Sequence, residues 1–123
     1  MALSMETRVS GKVVILFCSG RIVFGDETAA FRDRIKSILL GTHQIVLNLD
    51  GIESVDSGGL GTLVGLLAST RSRNGDIKLV RPNKRVNDLL KRTRLNTVFQ
   101  SYESDDEAVS AFRESVAVRA HGG

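Results

Sequence analysis

Apolar residues recur along the chain in two rhythms, one typical of strands and one typical of helices. Compact or alternating apolar runs predict strands over residues 5–9, 13–19, 44–49 and 77–80, with a last short strand near residue 102. Apolar residues three or four positions apart predict helices after Gly25, from Ser57, after Pro82 and after Ser104. Strands that alternate with helices in this way predict an α/β domain.

The order of these elements predicts a mixed β-sheet with an N-terminal hairpin, parallel crossovers and about four helices. Gly11 lies in the short link between the first two strands, and the more polar first strand is expected at the sheet edge. Gly20 is expected to close the second strand and Asp50 the third. The third strand is apolar at almost every position, which favours a central strand that is covered on both faces and has a parallel neighbour.

The length of 123 residues predicts a single domain, which we place at residues 5–116. Residues 1–4 and 119–123 lack an apolar pattern and are expected to be disordered ends. Ser104 and Glu107 have the spacing of a capping box at the start of the last helix. No apolar run approaches the roughly 20 residues of a membrane span, and the first residues lack the charged start and apolar core expected of a signal peptide. We therefore expect a cytoplasmic protein with no membrane span.

Composition narrows the classes of function. The formal net charge of +3 is spread over several segments, and the chain has one tyrosine and no tryptophan to stack on bases. This pattern does not favour direct binding of nucleic acid. The single cysteine, Cys18, lies inside an apolar run, where a buried core position is favoured over a reactive thiol.

The stretch around Ser57 carries the most specific signal. Serine is among the best N-cap residues, so Ser57 is predicted to cap the helix that follows the central strand. Gly61 and Gly65 then form a stripe of small residues along that helix, although each glycine costs roughly 1 kcal/mol of helix propensity relative to alanine. We interpret the stripe as a face that something packs against closely, with Gly61 at a partner surface. Replacing either glycine with alanine should then give no gain in stability.

Three interpretations of this stretch remain open at this level. In the first interpretation, Ser57 only caps the helix, and the glycines only let the helix lie close to the sheet. A phosphate-binding or dinucleotide loop is weakly supported, because the spacing Gly-x-Gly-x-x-x-Gly departs from the usual fingerprint and no Lys-Ser or Lys-Thr follows. The third interpretation makes Ser57 a regulatory phosphoacceptor on an interaction surface.

An enzyme is the rival class. A hydrolase with Ser57 as nucleophile needs a nearby base, and the two histidines, His43 and His121, fall before a strand and in the predicted tail. No group of Cys, His, Asp and Glu has metal-ligand spacing. The sequence therefore predicts neither catalytic residues nor a metal or cofactor.

The motif itself is similar to that of a known family. The consecutive residues Asp56, Ser57, Gly58, Gly59, Leu60 and Gly61 resemble the Asp-Ser-(small)-Gly-Leu-Gly core of the STAS domain, specifically of the bacterial anti-sigma factor antagonists. The preceding run VLNLDGI and the later stretch LVRPNKRVNDLLKRTRLNTVF are also similar to the family pattern, and the resemblance covers about residues 5–116.

The resemblance implies a partner-switching regulator rather than an enzyme. In that family the serine after the aspartate, here Ser57, is phosphorylated by an anti-sigma factor serine kinase. The unphosphorylated form binds that kinase, and a PP2C-type phosphatase reverses the modification. Residues 56–61 are then implied to bind the partner. The alternative is a STAS interaction subunit of a lipid-transport or stress-sensing complex that is never phosphorylated.

Two positions depart from the family pattern. Val23 stands where the phosphorylated members typically have an acidic residue, and Asp26 or Asp56 are the candidates for a substitute carboxylate. Arg94 stands where the family usually has a glycine that ends a helix in left-handed geometry, so a slightly different turn is expected there.

Overall fold

The computed structural model describes the backbone of residues 3–122 and the side chains of residues 3–114. Within that range the strands are Ser4–Ser10 (β1), Val13–Ile22 (β2), Gln44–Val55 (β3), Asp76–Val80 (β4) and Ser101–Tyr102 (β5). The α-helices are Asp26–Ile38 (α1), Ser57–Arg71 (α2), Lys84–Arg92 (α3) and Asp105–Gly122 (α4), and a 3-10 turn covers Leu95–Thr97.

The strands form one mixed sheet in the order β1-β2-β3-β4-β5. β1 and β2 make the antiparallel hairpin, and every later pair of neighbours is parallel. Gly11 has a φ of 62° in the hairpin turn, a conformation that glycine adopts without steric cost. The predicted α/β fold, with its edge strand β1, its central strand β3 and its four helices, is confirmed.

Two strands run further than their apolar cores predict. Gly20 does not close β2, which continues to Ile22, and Asp50 does not end β3, which continues to Val55. The two extensions pair with each other in parallel, from Ser19 opposite Gly51 to Ile22 opposite Val55. A Cβ on Gly51 would lie 2.7 Å from Ser19 Cβ, so glycine permits this close pairing.

Helices cover both faces of the sheet. The larger core joins α1, α2 and α3 to one face, where Phe31, Leu63 and Leu90 pack against strand residues such as Leu47. The smaller core joins α4 to the other face, with Phe112 as its aromatic residue. Residues 45–49 of β3 are all buried, which confirms that this strand is covered on both sides. Cys18 is also fully buried, and burial raises the pKa of its thiol to about 12, so the predicted core position is confirmed.

Polar contacts fix α4 on its face of the sheet. Lys78 is 4% exposed on β4, donates to Gln100 Oε1 and Asp76 Oδ2, and lies 4.8 Å from the ring centroid of Phe112. Asn48 on β3 donates to Asp105 Oδ1 at 2.8 Å, at the start of the helix. These contacts satisfy buried polar groups that would otherwise be costly to desolvate.

The start of α4 differs from the predicted capping box by one residue. Glu107 N donates to Ser104 Oγ at 3.1 Å as predicted, but the Glu107 carboxylate accepts from Glu103 N rather than from Ser104 N. The backbone of α4 is helical through Gly122, which includes most of the segment 119–123 that is expected to be disordered. A helix that has been nucleated adds further residues at little cost. Residues 1, 2 and 123 lie outside the described part, as do the side chains of Val116 and His121.

Arg94 takes the conformation expected of the glycine it replaces. Its φ of 60° and ψ of 16° are left-handed, and it follows the end of α3. The expectation of a different turn at this position is therefore wrong. A left-handed residue other than glycine is strained by about 1–2 kcal/mol, and the hydrogen bond from Arg94 N to Lys91 O, at 3.1 Å, holds the turn.

Candidate functional site

The N-terminus of α2 lies at the carboxyl edge of the sheet, where β3 ends. Asp56, not Ser57, is the N-cap residue: its backbone is extended and its Oδ1 accepts from Gly59 N at 2.8 Å. The prediction that Ser57 caps the helix is wrong. β3 extends to Val55 and α2 begins at Ser57, so Asp56 is the single residue between them and takes the N-cap position. Aspartate caps a helix as well as serine does.

The same carboxylate also holds the loop that follows β2. Phe24 N donates to Asp56 Oδ2 at 3.0 Å and to Oδ1 at 3.2 Å, and Asp56 N donates to Ile22 O at 3.3 Å. The N–H groups of Gly59 and then Phe24 stabilise the charged form, so they hold the pKa of the Asp56 carboxyl below its usual value. Asp26 and Asp56 are the candidate carboxylates near Ser57. Asp56 is the one that joins the loop after β2 to the start of α2.

Ser57 is the first residue of α2, and its side chain is exposed. Its hydroxyl makes no hydrogen bond to any part of the chain that the structure describes. No acidic residue occupies the first turn of α2. The serine oxygen therefore lies at the positive end of the helix dipole, beside the exposed carboxylate of its own cap.

Gly58 and Gly59 allow the β2–α1 loop to approach α2. A Cβ on Gly59 would overlap the carbonyl oxygen of Ile22, and one on Gly58 would lie 2.8 Å from Phe24 Cβ. Neither glycine can be replaced without moving the loop or the helix. Gly59 and Leu60 are the two buried residues of the motif, and the Leu60 side chain packs in the larger core.

Gly61 and Gly65 are exposed, and a Cβ on either would meet no heavy atom within 4 Å. The alternative in which Gly61 and Gly65 let α2 lie close to the sheet is wrong, because the helix turns the opposite face, with Leu63 and Leu67, to the core. The assignment of Gly61 to a partner surface stays a prediction.

Sequence reasoning did not find Phe24, the most conspicuous residue of the site. Its side chain is 81% exposed and packs beside Gly58, next to the serine. The available signal was an aromatic residue alone between the end of a strand and Gly25, outside any apolar periodicity. Val23, which precedes it, is half-buried and directly follows the last residue of β2.

The arrangement offers no support for a serine hydrolase among the described side chains. His43 is exposed before β3, and Ser57 follows that strand of 12 residues. A strand of this length separates its ends by roughly 35 Å. Among the described residues, no group of His, Cys, Asp and Glu is placed to hold a metal ion. None of the helices described here has the length and apolar character needed to cross a bilayer.

The sequence model of the STAS domain matches residues 4–108. The chain therefore belongs to the STAS domain family. A protein of Thermotoga maritima that is named by inference as an anti-sigma factor antagonist is 37% identical over 73 residues, which are 59% of this chain and 65% of that protein. A homologue in Thermotoga neapolitana is 39% identical over 69 residues, 56% of this chain and 61% of its own length. The chain thus spans less than two thirds of the length of these curated relatives.

Solved structures agree with the fold. The crystal structure of an anti-sigma factor antagonist of Thermotoga maritima, also named by inference, has a TM-score of 0.83 at 29% identity over 89% of this chain and 94% of that chain. Phosphorylated SpoIIAA of Bacillus has a TM-score of 0.69 at 18% identity over 90% of this chain and 99% of that chain. At that identity the likeness to SpoIIAA establishes a shared fold.

Proposed function

We propose that this protein is an anti-sigma factor antagonist that binds an anti-sigma factor serine kinase while Ser57 is unphosphorylated, and that phosphorylation of Ser57 releases the kinase. A PP2C-type phosphatase restores the binding form. The protein acts by occupying its partner and catalyses no reaction of its own. Membership of the STAS family and the names of the Thermotoga relatives support this function.

The observation that carries the proposal is the placement of Ser57. Its exposed hydroxyl, without a hydrogen bond to the described chain, stands at the N-terminus of α2. A kinase can reach it without unfolding the helix. A helix N-terminus also tolerates a phosphate, because its N–H groups and dipole favour negative charge.

The effect of phosphorylation should fall on the interface rather than on the fold. A phosphoserine carries about −1.5 to −2 charges at neutral pH. That charge would appear beside the Asp56 carboxylate, on a surface that also presents Phe24. Like charge opposite a partner's acidic groups can cost several kcal/mol, and each 1.4 kcal/mol is about a tenfold change in affinity.

A second function is favoured by one residue. Val23 leaves the end of β2 without the acid that the resemblance to phosphorylated members implies, so the chain could act as a constitutive STAS interaction subunit of a lipid-transport or stress-sensing complex. In that case the surface around Phe24 and Ser57 would still bind a partner, but no phosphate would control it.

Binding to the cognate anti-sigma factor kinase of the native host separates the two functions. Ser57→Asp should weaken binding by about tenfold or more, whereas Ser57→Ala should bind like the wild type. Both variants should keep the melting temperature within a few degrees, because the exposed Ser57 hydroxyl makes no hydrogen bond to the described chain. Equal affinities for the aspartate and alanine variants would favour the constitutive subunit.

A further inference from the structure

A groove between α1 and α2 begins beside Ser57 and is not used by the fold. Its first part, of about 520 Å³, is lined by residues that include Phe24, Gly58 and Arg32. Its second part, of about 630 Å³, ends at Leu40 and Arg73. The two parts share Lys36, Leu66 and Ser69 and are therefore continuous. From Gly58 to Ser69 the groove follows α2 for about 16 Å, or three helical turns.

The floor of the groove exposes the backbone of α2. Gly61 and Gly65 lie one turn apart on it, and Ser69 continues the row. Open space stands where the side chains of the two glycines would be. Helices approach most closely where the residues between them are small, so this floor suits an occupant that packs tightly along α2.

The rim of the groove has one sign of charge. Arg32 and Lys36 project from α1, and Arg73 lies beyond the end of α2. No carboxylate of the described residues lines either part. Arg32 reaches across to Thr62 Oγ1 at 3.5 Å, and Lys36 has no acidic partner within the described range. An occupant with acidic groups along its edges would complement this rim.

Both ends of the groove present apolar side chains. Phe24 is 81% exposed at the end near Ser57, and Leu40 is 91% exposed at the other. Two single side chains do not form an apolar patch, so they add apolar contacts at the two ends of the groove and do not define it on their own. A flat anionic surface or a nucleic-acid backbone would leave the glycine floor between the two apolar ends without apolar contacts, whereas a helix with an apolar ridge would supply them.

We propose that this groove receives an acidic amphipathic helix of the anti-sigma factor partner. The inference rests on the proposed function and adds the partner's contacting element and its chemistry. Small or apolar residues of the incoming helix lie along Gly61 and Gly65, and its carboxylates face Arg32 and Lys36. The groove opens at Gly58, next to Ser57, so a phosphate on Ser57 stands at its mouth and repels the same carboxylates.

Charge reversal tests the rim. The double variant Arg32→Glu/Lys36→Glu should weaken binding of the anti-sigma factor kinase, measured by calorimetric titration, by about tenfold or more. Its matched control is Arg85→Glu/Lys91→Glu, which reverses an exposed arginine and an exposed lysine on α3, away from the groove. Equal affinities for the two double variants would overturn the proposal.

Filling the floor tests the close approach. Gly65→Leu places a side chain in open space, so the fold should tolerate it while the groove is blocked. Ala68→Leu adds the same side chain to an exposed position of α2 that does not line the groove. Only the Gly65 variant should lose affinity, and melting curves of both variants check that they fold.

Ser57→Asp, measured in the same series, separates this proposal from the proposed function. If Ser57→Asp loses binding and the groove variants do not, the phosphorylation switch is supported and the groove proposal is rejected. If the groove variants lose binding and Ser57→Asp does not, the groove proposal is supported and the switch is rejected.

If the wild-type protein binds no anti-sigma factor kinase, the groove is tested with a synthetic peptide instead. The probe is a 15-residue helical peptide with an alanine–leucine ridge flanked by glutamates, and its control has lysines in their place. If the wild type binds the glutamate peptide but not the lysine peptide, and the double variant Arg32→Glu/Lys36→Glu binds neither, the groove is supported independently of the proposed function. The groove proposal would be overturned if both peptides bound equally or if neither peptide bound. Preferential binding to phosphatidylglycerol vesicles over the glutamate peptide would also overturn it.

Discussion

Asp56 is the side chain on which the geometry around Ser57 depends most directly. One carboxylate accepts from Gly59 N at the start of α2 and from Phe24 N in the loop after β2. It therefore fixes the first turn of the helix and the position of an exposed aromatic residue at the same time. A carboxylate that accepts N–H groups in this way is stabilised in its charged form.

Replacing Asp56 should show both roles and their dependence on pH. Asp56→Ala removes the cap and should cost about 1 kcal/mol of unfolding free energy at pH 7, whereas Asp56→Asn keeps a capping oxygen and should cost less. The folded-state pKa of Asp56 is lowered from 3.8, so the charged form contributes stability above that value. The contribution is lost as the pH falls through the lower, folded-state pKa.

Urea titrations at neutral and acidic pH measure this effect. The gap in stability between the wild type and Asp56→Ala should narrow as the pH falls below 3.8. A gap that stays constant over this range would mean that the carboxylate charge has no part in the cap.

The glycines of the motif should respond in opposite directions to alanine. Gly59→Ala should destabilise the domain by about 2 kcal/mol or more, because its Cβ meets the carbonyl of Ile22 and the clash forces the backbone to shift. Gly61→Ala and Gly65→Ala should stabilise it by up to about 1 kcal/mol, since they gain helix propensity in open space, and this replaces the expectation of no gain drawn from the sequence. Thermal unfolding of the three variants checks the order, and a destabilised Gly61→Ala would contradict it.

At the residue scale, the sequence located the start of α2 but assigned its cap to Ser57 instead of Asp56. Asp56 and Ser57 are both good N-caps, and only the length of β3 decides that the aspartate takes this position. Likewise, the pattern shows that Gly61 and Gly65 share a face, but it cannot show whether that face meets the sheet or solvent. Both answers depend on contacts that are distant in sequence.

At the scale of elements, the apolar pattern predicted where each strand and helix lies better than where it ends. The carboxyl-terminal half of β3 contains Asp50, Glu53 and Ser54, which break the apolar run. It is nevertheless a strand because it pairs with the end of β2. Pairing between strands is a long-range interaction, so local periodicity does not reveal it.

The attachment of α4 to the sheet gives a prediction at this scale. Lys78→Ala should destabilise the domain by about 2 kcal/mol, because it removes a buried contact with Phe112 and one of the two donors to Gln100 Oε1, the other being the Tyr102 hydroxyl. Amide hydrogen exchange should become faster in the first turns of α4 than in α2. Lys84→Ala is the matched control: its side chain is exposed and, among the described residues, pairs only with Asp88, so it should change stability by less than about 0.5 kcal/mol.

At the scale of the whole molecule, the parallel topology explains why distant segments form one site. β2 and β3 are parallel neighbours, so the loop after each lies at the same edge of the sheet. That edge brings Phe24 beside Ser57, 33 residues later in the chain. Alternation of strands and helices made this edge predictable from sequence, whereas the groove between α1 and α2 depends on how the helices pack.

The central claim is that Ser57 is a reversible phosphoacceptor, and intact mass spectrometry tests it most directly. The protein is purified from its native host, and its mass is measured before and after treatment with a PP2C-type phosphatase, with Ser57→Ala as the control. We expect a single added phosphate that maps to Ser57, disappears with the phosphatase and is absent from the alanine variant. A wild type that stays unphosphorylated even with the cognate kinase and ATP would contradict the account.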